Sequence, residues 1–353
     1  MNKHLYDENG YVNIRYIMEA LGAPYTFIVS ARGTGKTFSA LKYAVEYDHK
    51  FMFMRRTQSA ADLISKPAFS PFKALNMKLG WNITVKSLSK YNAAFYRQYA
   101  DHETGEIDQE SEAIGYTCAL STISKMRGFD ASDIDMIIYD EFIPEAHEAA
   151  IRGEGEALRN AYETINRNRE LDGFKPVQML CLANSNRLDN PIFMDFGLVE
   201  RVIRMYATHE DTFLDRESGL CVILLQDSPI SEKKQETALY KLTGRNSSYY
   251  QMAIENRFAG EDTSLVQPQN LIEFTPVVTV GEITIYKHKH RSREYYCSTH
   301  HSGAPRDVMG SSEIDIKKFQ RKYVHLISAY YQRRMLFESY TAQLLLETYL
   351  KIR

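Results

Sequence analysis

The chain has 353 residues, 44% apolar and 25% charged, with 43 Lys and Arg against 45 Asp and Glu. That composition is globular and excludes a disordered tail, a collagen-like fibre and a coiled-coil rod. No apolar run approaches the ~18 residues of a membrane span, and no apolar core marks MNKHLYDENGYVNIRY as a secretory signal.

The length predicts two domains. Cys118, Cys181, Cys221 and Cys297 are scattered, with no CxxC pair, so neither structural zinc nor a disulfide framework is expected and a reducing cytosol fits. Residues 1–22 predict a short amphipathic helix, with Ile14, Ile17, Met18 and Leu21 on one face and Gly22 and Pro24 ending it. Tyr25–Ser30 reads as a β-rich apolar strand, followed by a Gly-rich turn and a helix over about 37–47. Phe51–Met54 is a second buried strand, and 59–80 reads as helix broken by Pro67 and Pro71. Trp81–Val85, Ala93–Tyr99 and Ile114–Ala119 are strand-like, with polar 101–112 as a hairpin loop. Met136–Tyr139 and Val177–Ala183 are buried strands flanking a helix over 154–169. Apolar strands alternating with helices predict a parallel sheet covered on both faces, an α/β domain over 1–208.

Beyond residue 208 the pattern changes. Residues 209–262 are polar with a helical piece around 231–257, which predicts a linker region. Val277–Val280, Ile283–Lys287 and Glu294–Ser298 alternate like antiparallel strands, and 312–350 reads as helix, so 263–353 predicts a smaller α+β domain. Residues 264–353 carry 13 basic against 8 acidic side chains, a net of +5, while the preceding residues carry −7. The near-neutral total hides a basic C-terminal segment.

The strongest chemical signal is Ser30-Ala31-Arg32-Gly33-Thr34-Gly35-Lys36-Thr37, between a strand and a helix as a P-loop requires. Gly33 and Gly35 let the backbone curl until several N–H groups point at one phosphate. The helix N-terminus adds partial positive charge. Lys36 would reach the β- and γ-phosphates of ATP, and the Thr37 hydroxyl would ligate Mg2+. Arg32 and Thr34 complete the loop. Ser30 stands where the P-loop pattern has its first glycine.

In Met136-Ile-Ile-Tyr-Asp140-Glu141 two carboxylates emerge at the C-terminal edge of a buried strand, where open α/β sheets bind ligands. Asp140 would hold the Mg2+ shell, and Glu141 would orient and deprotonate the attacking water. An exposed acidic turn is the alternative to this Walker B role. A GTPase would use Gln and an N-K-x-D motif, which is absent here. The Asp-Glu pair points to a hydrolysing ATPase of the ASCE kind, with an extra strand between the P-loop and Walker B strands. Asn184, at the end of the strand 177–183, is a candidate sensor beside the γ-phosphate or else a turn residue. Arg167 and Arg169 close the helix before that strand. They are either a solvated face or an arginine finger acting on a neighbouring subunit. Lys125 and Arg127 are further candidates to act in trans, and Arg55 and Arg56 are candidate phosphate or interface groups. Residues and chemistry alone leave open a DNA translocase, another ASCE ATPase such as a helicase or replication-associated loader, and a slow nucleotide-switched binding module.

The segments SARGTGKT, IIYDEF, INRNRE, CLANS and NRFAG, in that order, resemble the DNA-packaging ATPases of small podophages, the phi-29-like group of FtsK/HerA-type ASCE enzymes. The likeness covers about residues 25–260. It implies a homopentameric ring ATPase at the procapsid portal vertex, in the host cytoplasm, that drives double-stranded DNA into a capsid with no membrane partner. It assigns Lys36 and Thr37 to Walker A, Asp140 and Glu141 to Walker B, and the finger to Arg167. It also implies a C-terminal domain like a vestigial RNase H-type nuclease that docks on the portal or on a packaging RNA. The eight acids of that region are dispersed in sequence, so the metal cluster of an active nuclease is not expected. The run Lys287-His-Lys-His-Arg-Ser-Arg293 would suit nucleic-acid phosphates or a charged edge strand. His300 and His301 beside Cys297 are expected in a solvated loop.

Overall fold

The computed structural model describes residues 3–100, 107–126, 130–145, 148, 151–185, 190–226, 228–242, 263–310 and 312–350. The chain divides into two compact units, Met1–Arg187 with Glu210–Ala259, and Leu188–His209 with Gly260–Arg353.

The first unit is built on β1 (Tyr25–Ser30), β2 (Phe51–Arg55), β3 (Ile83–Ser87), β4 (Asn92–Ala100), β5 (Ile107–Gln109), β6 (Gly115–Ala119), β7 (Met136–Asp140), β8 (Gln178–Asn184), β9 (Thr212–Asp215) and β10 (Leu220–Leu225). They form one sheet in the order β3-β4-β6-β2-β7-β8-β1-β10-β9, with β5 paired to β4. From β6 to β10 every neighbouring pair is parallel; the edges are antiparallel. β8 lies between β1 and β7, so the extra strand expected between the P-loop strand and the acidic strand is present. The parallel strands are apolar at nearly every position because both faces are covered. Ile28, Phe51, Phe53, Ile138, Leu180 and Ile223 join Ala40, Leu41 and Ala44 of α1 (Lys36–Glu46) in one buried cluster. The alternating residues Phe27, Val29, Met52, Met54, Ile137 and Tyr139 are buried on the opposite face. There Phe27 meets Phe142 edge-on at 5.8 Å.

The structure departs from the sequence expectations in several places. Residues 1–22 are not one helix. Asp7 Oδ1 accepts from the backbone N–H groups of Asn9 and Tyr11, making a turn, and Asn13 caps helical turns that run only from Ile14 to Leu21. The expected hairpin loop 101–112 contains β5; residues 101–106 lie outside the described residues. Residues 212–225 are no linker: the hairpin β9–β10 extends the central sheet, with Ile28 opposite Ile223. The expected helix 231–257 is seen as Pro229–Gln235 and Ala238–Leu242, and 243–262 lie outside the described residues. Residues 188–209, expected with the first domain, belong to the second unit. There α5 (Val199–Thr208) packs on α6 (Tyr340–Leu350), and Arg204 pairs with Glu282. The reason is amphipathicity: Val202, Ile203 and Met205 are buried on one side of α5 and need an apolar partner.

The second unit holds β11 (Phe274–Val280), β12 (Ile283–His288), β13 (Tyr295–Ser298), β14 (Asp307–Met309) and β15 (Met335–Phe337), ordered β14-β11-β12-β13-β15. The centre is antiparallel and the two edges are parallel, a small α+β unit. β15 interrupts the helix expected over 312–350. Three of the acids here are held separately: Asp307 by Lys322 and Tyr323, Glu338 by Ser298, Thr299 and His300, and Glu347 by Tyr330 and Gln343. His301 bonds Thr284 rather than joining Cys297, which is buried in β13.

Candidate active site

The P-loop follows from strand geometry. β1 ends at Ser30, and the chain turns through Gly33 and Gly35, both left-handed at φ +70° and +81°. Glycine is the residue that holds such angles without Cβ strain. Gly35 then caps the 11-residue α1, whose first turn presents unpaired N–H groups to an anion. Ser30 is more than a small stand-in for glycine. Its hydroxyl accepts from Lys36 Nζ at 2.7 Å and meets Thr34 Oγ1 at 2.6 Å, so it fixes the lysine inside the loop. Lys36 Nζ also donates to Ala31 O and to Asn184 Oδ1, each at 3.1 Å. Register explains the last bond, because Ser30 and Asn184 stand side by side on β1 and β8. Burial pulls the Lys36 ammonium down to about 7; Asp140 opposes that and Lys234 adds to it.

Asp140 ends β7, buried. It accepts from Thr37 Oγ1 at 3.1 and 3.0 Å and from Arg55 Nη1 at 3.1 Å. Arg55 lies opposite Asp140 in the β2–β7 register. Burial pushes the Asp140 carboxyl up, while Arg55, Thr37 and Lys36 pull it back. Glu141 steps off the strand with a left-handed backbone, φ +58°, and pairs with the other end of the Arg55 guanidinium. Its carboxyl is also raised by burial, opposed by Arg55 and reinforced by Asp140.

Four sequence candidates, Lys36, Thr37, Asp140 and Asn184, therefore meet at one sheet edge, with Glu141 adjoining through Arg55. Arg32 turns outward to pair with Glu145. Arg56, one residue beyond Arg55, is buried with Glu154 at 2.7 and 3.0 Å, and Tyr139 OH donates to the same carboxylate at 3.1 Å. Arg167 caps α4 (Glu154–Asn166) at φ +49° and pairs only loosely with Asp130, at 3.6 Å. Lys125 lies over the Tyr91 ring at 5.1 Å. Neither Arg167 nor Lys125 bonds to the P-loop or the strand-end carboxylates of its own chain. Sequence reasoning missed Glu145, Tyr11 and Lys234. Tyr11 packs its ring on Gly35, and Lys234 donates to the Arg32 carbonyl. No motif announces them, because 24 to 202 residues separate them from their partners.

Chemically, the edge offers a loop of N–H groups of the kind that cradles phosphate, a carboxylate on the residue after the strand, and two oxygen donors. The Thr37 hydroxyl and the Asp140 carboxylate, already within hydrogen-bond distance, are the donor types a hard cation such as Mg2+ takes. Fold and site together define a P-loop ATPase fold with the added central strand. The chain belongs to the podovirus DNA encapsidation protein (Gp16) family, whose model matches residues 6–346.

The chain is 23% identical to the DNA packaging protein of Bacillus phage phi29 over 253 residues, 69% of this chain and 65% of that protein. It is 21% identical to that of Bacillus phage B103, covering 69% of this chain and 67% of the relative. The match thus spans 65% of the phi29 protein's own length. The Phi-28 gp11 DNA packaging motor superposes with a TM-score of 0.56 at 18% identity, covering 98% of this chain and 99% of that one. The bacteriophage Phi-29 viral genome packaging motor assembly gives 0.59 at 16% identity, covering 97% and 100%. At such identities these likenesses establish the fold.

Proposed function

We propose that the chain is the ATP-hydrolysing motor subunit that drives double-stranded viral DNA through the portal vertex into a preformed capsid. The observation that carries this is the junction of three strand ends: Lys36 on Asn184 and Thr37 on Asp140, with Glu141 next in the chain. Family membership and relatives described as DNA packaging proteins supply the DNA and capsid side.

In this scheme the N–H groups of residues 33–37 and Lys36 hold the ATP phosphates. Thr37 and Asp140 would hold Mg2+, which when bound neutralises charge on the phosphoryl oxygens. Glu141, released from Arg55, orients the attacking water and takes its proton. Asn184 reports the phosphate state through its bond to Lys36. Arg167, with Lys125 as the second candidate, enters the site of the next subunit in a homopentameric ring and offsets transition-state charge. The basic C-terminal unit docks on the portal or a packaging RNA in the host cytoplasm.

The test is the ATPase rate with and without double-stranded DNA, together with DNA filling of purified procapsids. Stimulation by DNA and filled particles are expected; an unstimulated rate and empty procapsids would refute packaging.

A further inference from the structure

We propose that Lys234, on the helix Pro229–Gln235, is a second lysine of the phosphate site, binding the outer phosphates of the nucleotide beside Lys36. This rests on the P-loop nucleotide reading above. Lys234 Nζ donates to the Arg32 carbonyl. Its Nζ and Cε lie 2.7 and 2.8 Å from where a Cβ on Gly33 would stand, so the ammonium rests on the loop backbone in space that only glycine leaves. The helix is braced there. A Cβ on Gly10 would fall 2.9 Å from Pro229 Cβ, and Val12, two residues on, donates its N–H to Thr34 O at 3.0 Å. The same N-terminal turn therefore holds both the helix and the P-loop.

The electrostatics lack an anion. Among the described residues no carboxylate pairs with Lys234. Burial lowers its ammonium from the ordinary lysine value, and Arg32 lowers it further. Arg32 is paired with Glu145 and Arg55 already occupies Asp140 and Glu141, which leaves Lys36 and Lys234 together on the loop. A lysine stem is long enough to carry its charge to water; this one turns inward onto the loop instead. Like charges gathered at a turn rich in N–H groups are a cost that a bound polyphosphate offsets, and a fixed cation there is already in place when charge develops in the transition state.

The test is calorimetric binding of Mg-ATP to the full chain and its K234Q, K234R and K36A variants, with inorganic tripolyphosphate as competitor. K234Q keeps a donor for the Arg32 carbonyl but not the charge. Expected is a loss of about tenfold or more in ATP affinity for K234Q, the scale of a charge-assisted bond. Tripolyphosphate should compete correspondingly less well, and K234R should stay within about threefold of wild type. ATP and tripolyphosphate affinities within about twofold of wild type in K234Q overturn the assignment, as does a K234R loss equal to that of K234Q. If K36A also binds ATP normally, the P-loop reading falls; if only K36A loses binding, Lys234 alone is rejected.

Discussion

ATP binding should be coupled to proton uptake at Lys36. Burial holds its ammonium at about 7 rather than the ordinary 10.5 in the nucleotide-free chain. Roughly nine in ten Lys36 side chains are then charged at pH 6 and one in ten at pH 8. Only the charged form serves a polyphosphate, and apparent affinity scales with the competent fraction. Mg-ATP affinity should therefore be flat below about pH 6 and fall about tenfold per pH unit above 7. At pH 8, calorimetry in two buffers of different ionisation enthalpy should record about 0.9 proton taken up per ATP. Lys36→Arg, whose guanidinium does not titrate, should abolish the slope. Stability carries the same signature with a definite sign. Between about 7 and 10.5 the folded chain holds fewer protons than the unfolded chain, so the cost of burying this lysine is full below 7 and fades as pH rises to 10.5. Urea stability should therefore rise between about pH 7 and 10.5 relative to Lys36→Met, which lacks the titrating group and should also lose ATP affinity. An ATP affinity constant from pH 6.5 to 8.5 with no proton uptake would show that Lys36 stays charged in the empty loop and would sink the argument.

Three further outcomes follow from the same geometry. Glu141→Gln should still bind Mg-ATP in calorimetry but lose turnover by about 10²-fold or more in a phosphate-release assay; unchanged turnover would remove Glu141 as the base. Arg167→Ala should be inactive alone yet regain phosphate release when mixed with Glu141→Gln subunits, because an interface that joins the Arg167→Ala site to the Glu141→Gln subunit's finger has both groups intact. Silence of the mixture would leave Arg167 acting within its own chain or structurally. Arg56→Ala strands the buried Glu154 carboxylate and should cost about 3–5 kcal/mol in urea unfolding, whereas a loss under about 1 kcal/mol would mean that the carboxylate is neutral or rehydrated.

The chemistry was legible where it is local. Tyr25–Ser30 through Thr37 is one strand, one turn and one helix start, and each residue type is demanded by its own backbone angle or by the phosphate. Asp140 and Asn184 were legible because a buried apolar strand announces its end. What could not be read is what other strands bring. Arg55 grips Asp140 only because β2 and β7 lie side by side in a register that sets the two residues opposite each other. Asn184 reaches Lys36 only because β8 sets it beside Ser30 at the end of β1. The hairpin β9–β10 was open to reading: Leu220–Leu225 is an apolar run of the length a buried strand needs, and the polar residues on either side masked it. β15 has only three residues, too short for a period to declare itself.

The basic side chains near the site can be ranked by what already holds them, and the ranking bears on which of them could serve the proposed neighbour. Arg55 is fixed by two carboxylates, one of them buried, and Arg56 by a fully buried bidentate partner. Arg169 donates to the Ile134 carbonyl at 2.5 Å. Pulling any of these away to serve a neighbour would strand a buried carboxylate or a backbone carbonyl, a cost of kilocalories. Arg167 is held differently. Its side chain is 53% exposed, and its partner Asp130 is 76% exposed at 3.6 Å, a pair worth at most about 1 kcal/mol. Its backbone leaves α4 at φ +49° and ψ −133°, a conformation that non-glycine residues seldom adopt. A weakly held guanidinium on a strained helix end is easily given up to a phosphate of another subunit. Lys125, exposed and resting on Tyr91, could also leave at little cost, and Arg127 lies outside the described residues. The finger proposed for the ring is thus sought among the cations that the chain itself holds least, and of these arginines that favours Arg167.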